Sequence, residues 1–117
     1  MMKEEPQTIL RVYLNDLIQI IEELVAVIKQ GRNPQPEWDT YQGIMSRLDN
    51  LVSANLTSNF KEYESELKEF RKARLRLIKN IKSKNKNTPQ SEIELLTQLL
   101  ESANQVIISS RKIDKYS

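Results

Sequence analysis

The side chains of this 117-residue chain best placed to do chemistry are cations. Between Lys68 and Lys86 stand Lys68, Arg71, Lys72, Arg74, Arg76, Lys79, Lys82, Lys84 and Lys86, opposed only by Glu69. On a helix, Lys61, Lys68, Lys72, Lys79 and Lys86 fall within roughly 40° of one another, with Arg76 beside them, because each residue turns the chain by about 100°. Like charges at i,i+4, such as Lys68 with Lys72 and Lys72 with Arg76, repel by a few tenths of a kcal/mol each in an isolated helix. Something should offset that repulsion. One candidate is a polyanion: phosphates along RNA or DNA, anionic lipid headgroups, or an acidic partner surface. A second is the acidic first half of the chain, where Glu22, Glu23, Asp39 and Asp49 can supply opposing charge within the fold or across a dimer. A third is solvent alone. Residues 1–60 carry a net charge of −3 and residues 61–117 a net charge of +5.

Two of the cations differ from the rest. Arg71 and Arg74 fall inside the apolar arc of their helix. Each is expected either to lay its alkyl stem on the core and lift its head to solvent, or to line a groove for another chain, with Arg74 as the anchor. Base stacking is poorly supported, since no aromatic residues interleave with the stripe and Tyr63 and Phe70 fall on the apolar face. Val12, Ile108, Ile113 and Tyr116 lie off the main apolar stripes, and Ile108, Ile113 and Tyr116 together would make a self-association surface on the last helix.

Other chemistry is excluded by residue type. The chain has no cysteine and no histidine, which removes thiolate nucleophiles, imidazole bases, the catalytic triads built on them and the usual zinc ligands. Glu62, Glu66 and Glu69 share a helix face, but a di-metal bundle pairs glutamate with histidine. Two isolated glycines cannot form a phosphate-cradling loop. No catalytic residue, metal site or cofactor is expected. The tripeptide Asn55-Leu56-Thr57 fits N-x-[ST] and is read as a chance match.

The elements that position these residues follow from apolar spacing. A first helix is predicted over about 6–30: Pro6 fits its first turn, and Leu10, Leu14, Leu17, Ile21, Leu24 and Ile28 recur at spacings of 4 and 3. Tyr13, Ile20, Val27, Ile18 and Val25 widen that face to about half the helix, enough for two neighbours. Gly31 is placed to take the left-handed conformation after the helix. After the loop Gly31 to Pro36, a second helix over about 37–53 presents Trp38, Tyr41, Ile44, Met45, Leu48, Leu51 and Val52, with Gly43 on the opposite side. A break near Thr57 is expected, with Asn59 and Glu62 spaced as a capping box; if residues 53–59 only bend, helices two and three merge. The third helix, about 59–83, carries Phe60, Tyr63, Leu67, Phe70, Leu77 and Ile81. Thr88-Pro89 signals the start of the fourth, about 89–113, with residues 114–117 a frayed tail.

These elements predict a single all-α domain, an antiparallel up-and-down four-helix bundle. The expected function is that of a small non-enzymatic protein-interaction module, namely an adaptor, an assembly or export chaperone, or an inhibitor-type bundle, binding a partner protein through a helical face. The alternative is a nucleic-acid-binding accessory subunit using the basic stripe. The broad apolar faces of helices one and four would also suit a homodimer. No membrane span is expected, since the most apolar stretch, Leu17 to Ile28, contains Glu22 and Glu23 and falls short of the roughly 20 residues that crossing requires. Met1 to Gln7 is polar and does not resemble a leader, so a cytoplasmic location is expected.

Overall fold

A computed structural model of the chain describes residues 5–83, 85 and 87–116, with the side chains of residues 112–116 left aside. It is an all-α four-helix bundle, comprising α1 (Pro6–Lys29), α2 (Gln35–Asn55), α3 (Glu64–Lys82) and α4 (Pro89–Tyr116), with a single 3-10 turn (Lys61–Tyr63) leading into α3. α1 packs against both α2 and α4, and α4 packs against both α1 and α3. The four helices therefore follow the order α2, α1, α4, α3 around the bundle. α4 is 28 residues long, and at about 1.5 Å per residue it accounts for most of the 46 Å long axis.

The half-apolar circumference of α1 fits its two neighbours. Leu10, Leu14, Leu17, Ile21 and Leu24 are fully buried, as are Leu96, Leu99, Ala103 and Val106 of α4. At the turn below α3, Phe60 and Tyr63 close that end of the core, both fully buried and with ring centroids 5.6 Å apart. Burial of this apolar surface is the main force holding the helices together. No helix of the described residues is long and apolar enough to cross a membrane.

Each connection is fixed by hydrogen bonds that end one helix and start the next. Gly31 has φ +70. Its N–H donates to the carbonyl of Ile28, and that of Arg32 donates to Val27, the double bond pattern that closes a helix around a left-handed residue. Gly43 faces open space, as its place opposite the apolar face of α2 implies.

α2 starts earlier than its proline pattern implies, at Gln35. The first turn of a helix has amides without intrahelical partners, so Pro36 loses nothing there and Gln35 can be helical despite preceding it. The Gln35 N–H donates instead to Asn33 Oδ1 at 3.1 Å, and its side chain donates to Asp39 Oδ1 at 2.8 Å.

The break between α2 and α3 is a true turn, and α3 begins five residues later than its spacing predicts, at Glu64. The capping box of Asn59 and Glu62 does not form. Asn59 Nδ2 donates to Asn55 Oδ1 at 2.7 Å. Asn55 Nδ2 donates to the Leu51 carbonyl at 2.7 Å, and the Asn55 carbonyl accepts from the Phe60 N–H at 2.9 Å. Buried and fully engaged, Asn55 organises the turn.

At the start of α4, the Thr88 hydroxyl accepts from the Ser91 N–H at 3.1 Å while Ser91 Oγ accepts from the Thr88 N–H at 2.9 Å. This is a reciprocal capping box with serine in the usual glutamate place. Asn80 Nδ2 adds bonds to Asn87 Oδ1 and Ser91 Oγ, tying the end of α3 to the start of α4. α4 continues as helix to Tyr116 where a frayed tail is predicted.

Candidate functional site

α2 and α3 are the one sequential helix pair that does not pack closely along its length. The space between them forms two adjoining clefts. The first, about 410 Å³, is walled by Trp38, Tyr41 and Met45 of α2 and Leu77, Ile78 and Ile81 of α3. The second, about 470 Å³, is walled by Leu48, Val52 and Leu56 on one side and Leu67, Phe70 and Leu75 on the other. Arg74 and Asp49 line both clefts and form an ion pair between them.

The apolar spacing of α2 and α3 is what lines this space. Trp38 packs edge to face on Tyr41, with ring centroids 5.1 Å apart. Leu75 and Ile81 stand on the α3 side with exposures of 49% and 38%, unusually high for large apolar residues next to a cleft.

Arg74 lines both clefts: its side chain is about a quarter exposed, and its charge meets Asp49 on the opposite wall. Arg71 also lines the second cleft and is exposed. A charge this close to the apolar arc prevents α3 from closing flush on α2, because a buried guanidinium must keep a partner or water.

Tyr41 is nine-tenths buried, and its hydroxyl has no hydrogen-bond partner among the described residues. Burial pushes its acidity from the ordinary 10.0 up to about 12; the nearby Arg74 charge works against that rise and Asp49 adds to it. At neutral pH the group is therefore a neutral phenol with an unused hydrogen-bond capacity at the wall of the first cleft.

The basic stripe is less coherent than its helical projection implies. Lys61 lies in the 3-10 turn before α3 and so does not continue the helical register. Lys86 lies outside the described residues. Lys68, Lys72 and Lys79 are exposed on α3. Lys68 pairs with Glu64 at 3.5 Å and Lys72 with Glu69 at 3.3 Å, so acids of the same helix offset part of the repulsion. Arg76 donates to Gln98 Oε1 of α4 at 3.1 Å. Glu22 and Glu23 are exposed on α1, and Asp49 meets Arg74 rather than the stripe.

A third surface groove, about 650 Å³, runs along the packed α3–α4 pair and is lined mostly by polar residues, among them Glu69, Arg76 and Glu101. Among the described residues no group of histidine, cysteine or acidic side chains is gathered to hold a metal ion. Ile108 is 44% exposed on α4 and Val12 50% exposed on α1, while the side chains of Ile113 and Tyr116 lie outside the described residues.

The sequence placed Arg71 and Arg74 inside the apolar arc of α3, either with their heads lifted to solvent or at a groove, and did not show that α2 faces them. In hindsight the signal was Asp49, the one acid of α2 at a spacing that puts it beside Met45 and Leu48. Tyr41, read as core, is the functional candidate that spacing alone could not single out.

The chain matches no protein-family model, and no curated protein or solved structure shows significant similarity to it.

Proposed function

We propose that the chain is a small non-enzymatic protein-interaction module, an adaptor, chaperone or inhibitor-type bundle, whose α2–α3 cleft takes a helix of a partner protein. The observation that carries this reading is the pair of apolar clefts between two helices that otherwise belong to one bundle. An apolar trough walled by two helices suits an amphipathic helix, which lays its apolar face into it through side chains at i, i+3, i+4 and i+7. The α2 wall from Trp38 to Leu56 spans roughly 27 Å at 1.5 Å per residue, room for about five turns of a partner helix. Aromatic residues that wall such a trough, as Trp38 and Tyr41 do, contribute more binding energy than their share of area.

The nucleic-acid reading has less support. Two cations of the stripe are taken up by neighbouring acids, and Lys61 does not lie on α3.

The test is a capture from native lysate by the tagged chain, with and without nuclease, at low and high salt. The expected result is a discrete protein retained after nuclease and at high salt, lost with Leu75→Glu and unaffected by Lys72→Glu with Lys79→Glu. Retention only of RNA or DNA, falling steeply with salt, would overturn the proposal, since phosphate contacts release counterions.

A further inference from the structure

The two walls of the cleft carry different charge. On the α3 side, Lys68, Arg71 and Lys82 stand at the lip. The α2 side offers Gln42, Ser46 and Ser53, with Asp49 as its one charge. Lys68 is taken up by Glu64. Arg71 and Lys82 have no acidic partner within ion-pair distance among the described residues. The lip of α3 thus presents uncompensated positive charge along an apolar trough.

The Arg74–Asp49 pair crosses the trough where the two clefts meet. Asp49 is 53% exposed. An ion pair open to water on one side contributes little to stability, so Asp49 can give up its place at little cost to the fold. The same guanidinium can form two parallel bonds to a carboxylate approaching from the trough.

We infer, resting on the interaction-module reading above, that the partner of the cleft is an acidic amphipathic helix. One of its carboxylates takes Arg74 from Asp49, and its other acids lie along the α3 lip. Asp49 then acts as a built-in competitor, a latch that divides the trough until an acidic helix replaces it. A basic helix would face Arg71 and Lys82 with like charge, and could not replace Asp49.

Trp38 is the one tryptophan of the chain and lines the first cleft, so its fluorescence reports occupancy. The probes are two synthetic peptides of about five helical turns with leucines on one face. One has glutamates along a flank, and its twin has lysines there. The full chain is titrated with each, alongside Asp49→Asn and Arg74→Met, with circular dichroism confirming that both variants fold. The expected result is that the glutamate peptide binds about tenfold more tightly than its twin, that Asp49→Asn tightens it further by several fold, and that Arg74→Met largely removes the preference.

Equal binding of both peptides, or weaker binding of the glutamate peptide to Asp49→Asn, overturns this inference and leaves the interaction-module reading standing. Failure of the glutamate peptide to bind overturns it as well. If, in addition, capture from lysate is indifferent to Leu75→Glu, the interaction-module reading falls with it.

Discussion

The α1–α4 pair and the α2–α3 pair are built from similar apolar residues but pack differently. In the first, Leu14 and Leu17 of α1 and Leu96 and Leu99 of α4 keep no exposed surface. In the second, Ile78 is half-buried, and Leu75 and Ile81 are open to solvent. The arc of α3 that faces α2 contains Arg71 and Arg74 where the arc of α1 contains only apolar residues. Two charges in that arc hold the helices apart, because hydrated guanidinium groups cost more to bury than leucines return. One pair of helices thus serves as the rigid base on which the other pair is held open.

The largest effect should come from cutting into the base. Leu99→Ala is expected to cost about 2–5 kcal/mol in urea unfolding. A loss below about 1 kcal/mol would mean that α4 is not the central packing element.

Alkali should act on the open pair. The Tyr41 phenol is held at about 12 in the folded chain against 10.0 when unfolded. The stability it contributes is fully present below pH 10 and is lost as pH rises through 12, by roughly 2–3 kcal/mol. Tyr41→Phe should unfold in alkali at higher pH than the parent and, lacking an unpartnered hydroxyl, should be about as stable at neutral pH. Identical alkaline midpoints for the two would show that the phenol is not buried.

Closing the gap chemically should have a smaller effect. Replacing Arg74 and Asp49 together by leucine is expected to change stability by no more than about 1 kcal/mol, because the pair is open to water, read as a small shift of the thermal midpoint, while abolishing capture of the partner. The smallest change is expected at the lip: Leu75→Ser should alter stability by less than about 0.5 kcal/mol, with its effect confined to binding.

Most of the fold was legible in the sequence because the helices announce their ends locally. Gly31 and Thr88-Pro89 act through bonds a few residues away, so reading them needs no tertiary information. The start of α3 was not legible, because Asn59 is claimed by Asn55, a residue outside the proposed capping box. Phe60 and Tyr63 were correctly read as buried, although they lie in the turn and the 3-10 segment rather than in the helix assigned to them. The cleft was half legible. Arg74 sits in an apolar arc and so stands out in the sequence, whereas its partner Asp49 and the open wall of α2 depend on how two helices lie in space.

Hydrogen exchange of the captured complex tests the central claim most directly. Binding is expected to slow exchange within residues 38–56 and 67–82, the two walls of the cleft, and to leave α1 and the outer face of α4 unchanged. Protection centred instead on the exposed apolar residues Val12 and Ile108, with the cleft walls unaltered, would contradict it.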